Sequence, residues 1–195
     1  MATLSIIVPT LGRRTLVGTL ESIAKQLQPG DELMVSCNND GNYGDRSLDR
    51  CQAKAEGDII LFCDDDDVYT DGALDRIRAW ADENPGKIGL FRRGFNNGAM
   101  QWRRPELTPG NIQRMCIALP NVPGKMPRWT GYQTEVSIPV SAAELQGAEI
   151  VFVDDVIGLA RPFEVGTLRR LRYRLRLRTR MRILRGAEEA DVLRP

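Results

Sequence analysis

Histidine is missing altogether from this 195-residue chain, which removes the commonest general base and a common metal ligand from any mechanism it runs. Carboxylates must take those roles. Cysteine is scarce, and Cys37, Cys51, Cys63 and Cys116 show none of the C-x-x-C spacings of zinc or redox sites. They read as small buried hydrophobes of a reducing, cytoplasmic compartment. No apolar run approaches the roughly 20 residues of a membrane-spanning helix. The opening "MATLSIIVPTLGRR" carries no basic stretch before its short apolar run, so a strand is expected there rather than a secretion signal. Acids are absent from 169–185, which holds nine arginines, leaving 18 basic against 26 acidic residues in the remainder. The net charge of +1 therefore hides an acidic body and a cationic tail.

Against these absences stands one excess. In "GDIILFCDDDDVYTDGAL", four aspartates, Asp64 to Asp67, follow the apolar run Ile59–Cys63, which reads as a buried parallel strand. Open α/β sheets bind ligands where their strands end. Carboxylates this crowded persist at neutral pH only when solvated, protonated or bound to a cation, and a hard divalent ion with oxygen ligands suits them. Helix capping is the plainer explanation, with Thr70 and Asp71 as cap and first-turn acid, but four carboxylates exceed what capping needs.

The surrounding pattern repeats strand then helix. A strand at Leu4–Val8 precedes a helix with Leu16, Leu20, Ile23 and Leu27 at helical spacing, stopped by Pro29 and Gly30. A strand at Glu32–Cys37 leads through an Asn/Asp/Gly loop to a short helix with Leu48, Cys51 and Ala55 inward. The aspartate strand then precedes a helix from about Gly72, with Leu74, Ile77 and Ala81 inward. Three such units predict an α/β fold with a doubly wound, mostly parallel sheet and helices on both faces. Further strands are expected at Ile88–Phe91, Met100–Trp102, Met115–Leu119, Glu135–Ile138 and Glu149–Val153, the last ending at Asp154 and Asp155. They fit a short, mixed acceptor-side region. The length suits one domain over 1–166 with an appended Arg-rich segment over 167–195.

Three successive strand ends thus offer polar groups along one edge: Pro9 and Thr10, then Asn39 and Asp40, then the aspartates. A nucleotide laid across them would meet Asp40 at a base N–H, Arg13 at phosphate, Asp64 at ribose and Asp66 through a metal bridging the diphosphate. Turn and Asx-cap roles compete for Thr10 and Asp40.

With these residues in place, the chain resembles the family 2 glycosyltransferases of the GT-A fold, through "LSIIVPTLGR", "LESIAKQ", "DELMVSCNNDG", "GDRSLDRCQAKAEGDIILFCDDDDVYTDGAL" and, more loosely, the stretch to "VIGLARP". The resemblance implies a Rossmann-like GT-A sheet and an inverting transfer of a sugar from a nucleotide-diphosphate donor to an acceptor hydroxyl. It also implies Mn²⁺ or Mg²⁺ at the acidic motif, placing Asp64, Asp66 and Asp67 there, with Asp66 and Asp67 toward the metal. Asp65 joins the donor-binding set without an individual role. The family's acidic pair after the second strand appears here as Asn39 and Asp40, and its arginine near the second helix has two candidates, Arg46 and Arg50, of which Arg46 lies in the loop. The acceptor's base is expected at Glu135, in "WTGYQTEVSIP", with Asp154 and Asp155 as the fallback pair. A surface glutamate opening a strand is the plainer reading of Glu135. Trp129 is the candidate for stacking on a sugar ring, and Trp102 for the core.

Two readings compete. "IILFCDDDDV" also satisfies the D-x-D-x-V motif of the haloacid dehalogenase phosphatases, with Asp64 as nucleophile and Asp66 as acid/base. Two strand–helix units precede the motif here, however, and the next strand ends in Arg92 and Arg93 rather than a serine or threonine. A non-catalytic nucleotide-sugar binder or assembly subunit is the other. The acceptor is open among glycan, lipid-linked, protein and nucleic-acid hydroxyls, as are the sugar, the base and the oligomeric state. In the tail, arginine alternates with Tyr173, Leu175, Leu177, Thr179 and Met181. Its composition favours a helix over 168–185, suited to an anionic membrane surface at the periphery or to a protein partner.

Overall fold

A computed structural model describes residues 1–37, 44–130 and 135–162, and the backbone of 191–193. The chain alternates β1 (Leu4–Thr10), α1 (Leu16–Ala24), β2 (Glu32–Cys37), α2 (Asp45–Gln52), β3 (Ile59–Phe62), β4 (Val68–Tyr69), α3 (Ala73–Glu83) and β5 (Ile88–Phe95). Then come β6 (Met100–Gln101), β7 (Ile117–Pro120), α4 (Ser137–Gln146), β8 (Ile150–Ala160) and β9 (Asp191–Leu193). They build one sheet in the order β4-β8-β5-β7-β3-β1-β2-β9, with β6 beside β5.

The first three strands are buried along their whole length, as the apolar runs predict. Alternation sends Ile6, Val8, Leu33, Val35 and Leu61 toward α1 and α3 on one face. Ile7, Met34, Ile60 and Phe62 go toward α2 and α4 on the other. Helices thus cover both faces, and Leu16, Leu20 and Ile23 of α1 and Leu74, Ile77 and Ala81 of α3 are buried as their spacing requires.

The sheet is mixed rather than mostly parallel. β1 pairs in parallel with β2 and β3, and β5 with β8, but β7 enters antiparallel between β3 and β5, and β4, β6 and β9 pair antiparallel with β8, β5 and β2. Because β7 is reversed between them, β5 and β8 point the same way as β1, β2 and β3.

Two local expectations are corrected. Residues 135–138 open a helix, not a strand: Ile138 and Ala142, one turn apart, are buried, and Pro139 lies in the first turn, where its missing N–H costs nothing. β8 does not stop at Asp154 and Asp155 but runs through them to Ala160. Phe91 pairs with Val153 and Arg92 with Val156, so the two aspartates are the extra residues of a bulge and are exposed. The Arg-rich segment expected as a helix over 168–185 lies outside the described residues. Among the described residues no helix is long and apolar enough to cross a membrane.

Candidate active site

The common direction of β1, β3, β5 and β8 brings their carboxyl ends to one edge, and reversed β7 begins there. Sequence-distant residues therefore converge: Arg13 after β1, the aspartates after β3, Arg93 in β5, Arg114 in the 3-10 turn before β7, and Arg161 after β8. Four arginines meet the four aspartates.

Asp64 is one-third exposed (33%), and its Oδ1 accepts from Arg114 Nη1 at 3.1 Å. Asp65 is buried: its Oδ2 accepts from the Thr10 hydroxyl at 2.6 Å and from Leu11 N–H at 3.3 Å. Thr10 in turn accepts from Gly12 N–H at 2.8 Å, in a turn where Gly12 sits at φ 76, a conformation that favours glycine. Arg13 Nη1 bridges Asp65 Oδ1 (3.3 Å) and Asp66 Oδ2 (3.1 Å), and Arg161 Nε lies 3.7 Å from the same Asp66 oxygen. Asp67, 2% exposed, forms a close ion pair with Arg93. Its other oxygen accepts from Arg161 N–H at 2.9 Å, while its own carbonyl accepts from Thr19 of α1 at 2.7 Å.

The run thus alternates in character. Asp65 and Asp67 turn into the protein and fasten β1 and the end of β8 to the motif; Asp64 and Asp66 keep an edge toward solvent. Burial pushes the Asp67 carboxyl up to about 6 against the pull of Arg93. Burial, then the charge of Asp64, also raises Asp66.

Crowding is relieved here by guanidinium groups, so charge repulsion alone does not demand a metal. Among the described residues no group of three or more acidic or cysteine side chains could hold an ion by itself. Asp64 and Asp66 nevertheless fit a hard cation that takes one or two carboxylates and completes its shell with phosphate oxygens and water. Asp67, expected among the ligands, presents no open oxygen in this arrangement.

The other expected residues divide. Glu135, just before α4, is brought to the site, with Oε1 3.9 Å from Arg114 Nε. Asp154 and Asp155 are not: Asp154 pairs with Arg92 at 2.7 Å, and Arg92 lies over Trp102, 4.4 Å from its ring centroid. Trp129, the stacking candidate, does lie in a loop, but its ring is only 3% exposed and packs edge-on against Phe62 at 4.9 Å, which gives it a core position rather than an open stacking face. Trp102 is in the core, as expected. Arg46 is exposed on the first turn of α2, Arg50 donates to Ser47 Oγ at 3.3 Å, and Pro9 is buried in β1. Asn39 and Asp40 lie outside the described residues. Arg93, Arg114 and Arg161 were not singled out for the site from sequence; only the "FRRGF" arginines within an apolar strand context signalled one of them. All four cysteines are buried, as expected.

No curated protein sequence matches the chain closely enough to count as a relative. Among solved structures, TarS 1–349 of S. aureus superposes with a TM-score of 0.61 at 19% identity, over 81% of this chain and 60% of that one. Its complex with UDP-GlcNAc gives 0.58 at 17% identity, over 81% and 58%. A197 from STIV gives 0.52 at 12% identity, over 81% and 84%. At these identities the likeness is one of fold, and the chain spans about 60% of the TarS chain it matches. The family comparison is more specific: Glycosyl transferase family 2 matches residues 37–138, just over half the chain and including the whole aspartate run, and the chain belongs to that family.

Proposed function

We propose that this protein is a nucleotide-sugar-dependent, inverting glycosyltransferase that requires Mn²⁺ or Mg²⁺. The observation that carries the reading is the convergence of the open carboxylates Asp64 and Asp66 with Glu135 at the carboxyl edge of the sheet, in a chain of this family. UDP-GlcNAc, present in the TarS complex, is the first donor to try.

In this reading Asp64 accepts from a ribose hydroxyl, with Thr10, Asn39, Asp40 and Arg46 along the path of the nucleotide. Asp66, with Asp64 beside it, would hold the metal, and a divalent ion there supplies positive charge to the departing diphosphate. Asp67 acts from behind, keeping Arg93 and the Arg161 backbone in place. Arg13 and Arg161 both reach Asp66 and are exposed enough to turn toward phosphate oxygens. Glu135 takes the proton of the acceptor hydroxyl as its oxygen attacks the anomeric carbon from the side opposite the diphosphate. Asp154 and Asp155 drop out as bases because they sit on the β5–β8 bulge. The phosphatase alternative is set aside because the family match is to Glycosyl transferase family 2.

We take 1–166 as the catalytic unit, acting in the cytoplasm, and 167–195 as an appended segment whose arginines suit an anionic membrane surface or a protein partner. A version ending at Gly166 that sediments with anionic vesicles as well as the full chain does would dismiss that role. The reading as a whole is tested by thermal shift with a panel of nucleoside diphosphates and their sugars. Saturating UDP or UDP-GlcNAc with Mn²⁺ should raise Tm by roughly 3 °C or more and lose the effect with EDTA. No shift with any of them would refute it. A shift without any turnover of donor would favour the binder.

A further inference from the structure

Arg114 is nearly buried between the two halves of the site. It stands in the turn before β7, and the antiparallel pairing that sets Ala118 against Leu61 carries that turn to the end of β3, fifty positions from Asp64 in sequence but 3.1 Å away in space. One edge of its guanidinium faces Asp64. The Nε faces Glu135 at 3.9 Å, is buried, and makes no hydrogen bond among the described residues. The Trp129 ring, centroid 5.6 Å away, flanks the same group and packs on Phe62, while the Trp129 backbone N–H donates to the Asp49 carboxylate at 2.9 Å. A planar fork fixed in this way binds two carboxylates in a set relative geometry, which a lysine cannot do.

We propose that Arg114 is a positioning residue that couples the donor pocket to the acceptor's base, acting through Asp64 on one side and Glu135 on the other. When nucleotide engages Asp64, the guanidinium moves with it and its Nε closes the remaining gap to Glu135, so that base and donor are set together. Trp129 serves by holding the plane of the guanidinium. This inference rests on the reading of Glu135 as the base.

The test uses the full chain with two readouts: UDP affinity with Mn²⁺ by calorimetry, and steady-state release of UDP from UDP-GlcNAc with water as acceptor. Urea midpoints confirm that each variant is folded. Arg114→Gln should weaken UDP about 5-fold and lower kcat for UDP release about 30-fold. In the Asp64→Asn background it should no longer change UDP affinity, and in the Glu135→Gln background it should no longer change kcat. Arg114→Lys, a point charge able to serve one carboxylate at a time, should restore affinity to within about 2-fold while leaving kcat low. Should Arg114→Gln fail to fold, the lysine variant carries the same cycles. Equal losses in all backgrounds, or recovery of both readouts together by lysine, would overturn the coupling while leaving the base assignment standing. Full turnover by Glu135→Gln alone would overturn the base assignment and the coupling with it.

Discussion

Within four consecutive residues the chain keeps two different kinds of aspartate. Asp65 and Asp67 have their oxygens spent on Thr10, Leu11, Arg93 and the Arg161 backbone, whereas Asp64 and Asp66 are met, among the described residues, by arginines that leave an edge open. The turn after β3 is closed by Asp67 N–H donating to the Asp64 carbonyl at 3.1 Å, and along it side chains 65 and 67 are buried while 64 and 66 are partly exposed. Identical residues thus divide between building the edge and using it.

Substitutions along the run sharpen or break this division. The largest effect is expected at Asp66. Asp66→Ala should lower donor turnover at least ~100-fold, roughly 3 kcal/mol of barrier. The urea midpoint should hardly move, because the arginines it releases, Arg13 and Arg161, are more than half exposed and are solvated without it. Asp67→Ala should act the other way, costing about 3 kcal/mol of stability by leaving Arg93, 10% exposed, and the Arg161 N–H without their acceptor. Equal stability losses at 66 and 67 would erase the distinction.

Asp65→Ala comes next, at about 2 kcal/mol from the lost Thr10 and Leu11 hydrogen bonds, read as a shift in urea midpoint. The half-exposed Arg13 pair adds little. Its turnover, measured on folded protein, should fall far less than that of Asp66→Ala. The smallest effect is a pH slope. Because burial pushes the Asp67 carboxyl up to about 6 in the fold from its ordinary 3.8, the folded state holds a proton in that window that the unfolded chain has lost. Its contribution to stability therefore declines as pH rises from about 4 to about 6 and is level above. Wild type minus Asp67→Asn, compared by urea midpoints across pH 4–7, should show that decline; a difference that grows with pH would contradict the burial of Asp67.

What was legible in advance follows the range of the interactions. β1, β2 and β3 are largely apolar runs set beside helices whose apolar residues recur every three or four positions, so local pattern locates them and the aspartates at their end. The segment Glu135–Ile138 reads as a strand because Val136 and Ile138 alternate with polar residues, although the buried residues of α4 are Ile138, Pro139 and Ala142, which share one helical face. The arginines were hidden for another reason. Arg93, Arg114 and Arg161 reach the motif only through the reversed insertion of β7 and the parallel pairing of β5 with β8, contacts that no local window contains. Without them in view, a bound cation is the natural partner for charge that guanidinium groups in fact offset.

The central claim is that Asp66, rather than the run as a whole, joins a metal-assisted nucleotide to this edge. Calorimetric titration of UDP into wild type, Asp66→Ala and Asp65→Ala, each with Mn²⁺ and again with EDTA, tests it most directly. The account predicts Mn²⁺-dependent binding that Asp65→Ala retains within about 3-fold and Asp66→Ala loses by at least ~30-fold. Binding by Asp66→Ala equal to wild type, or affinity in wild type that is indifferent to EDTA, would contradict it.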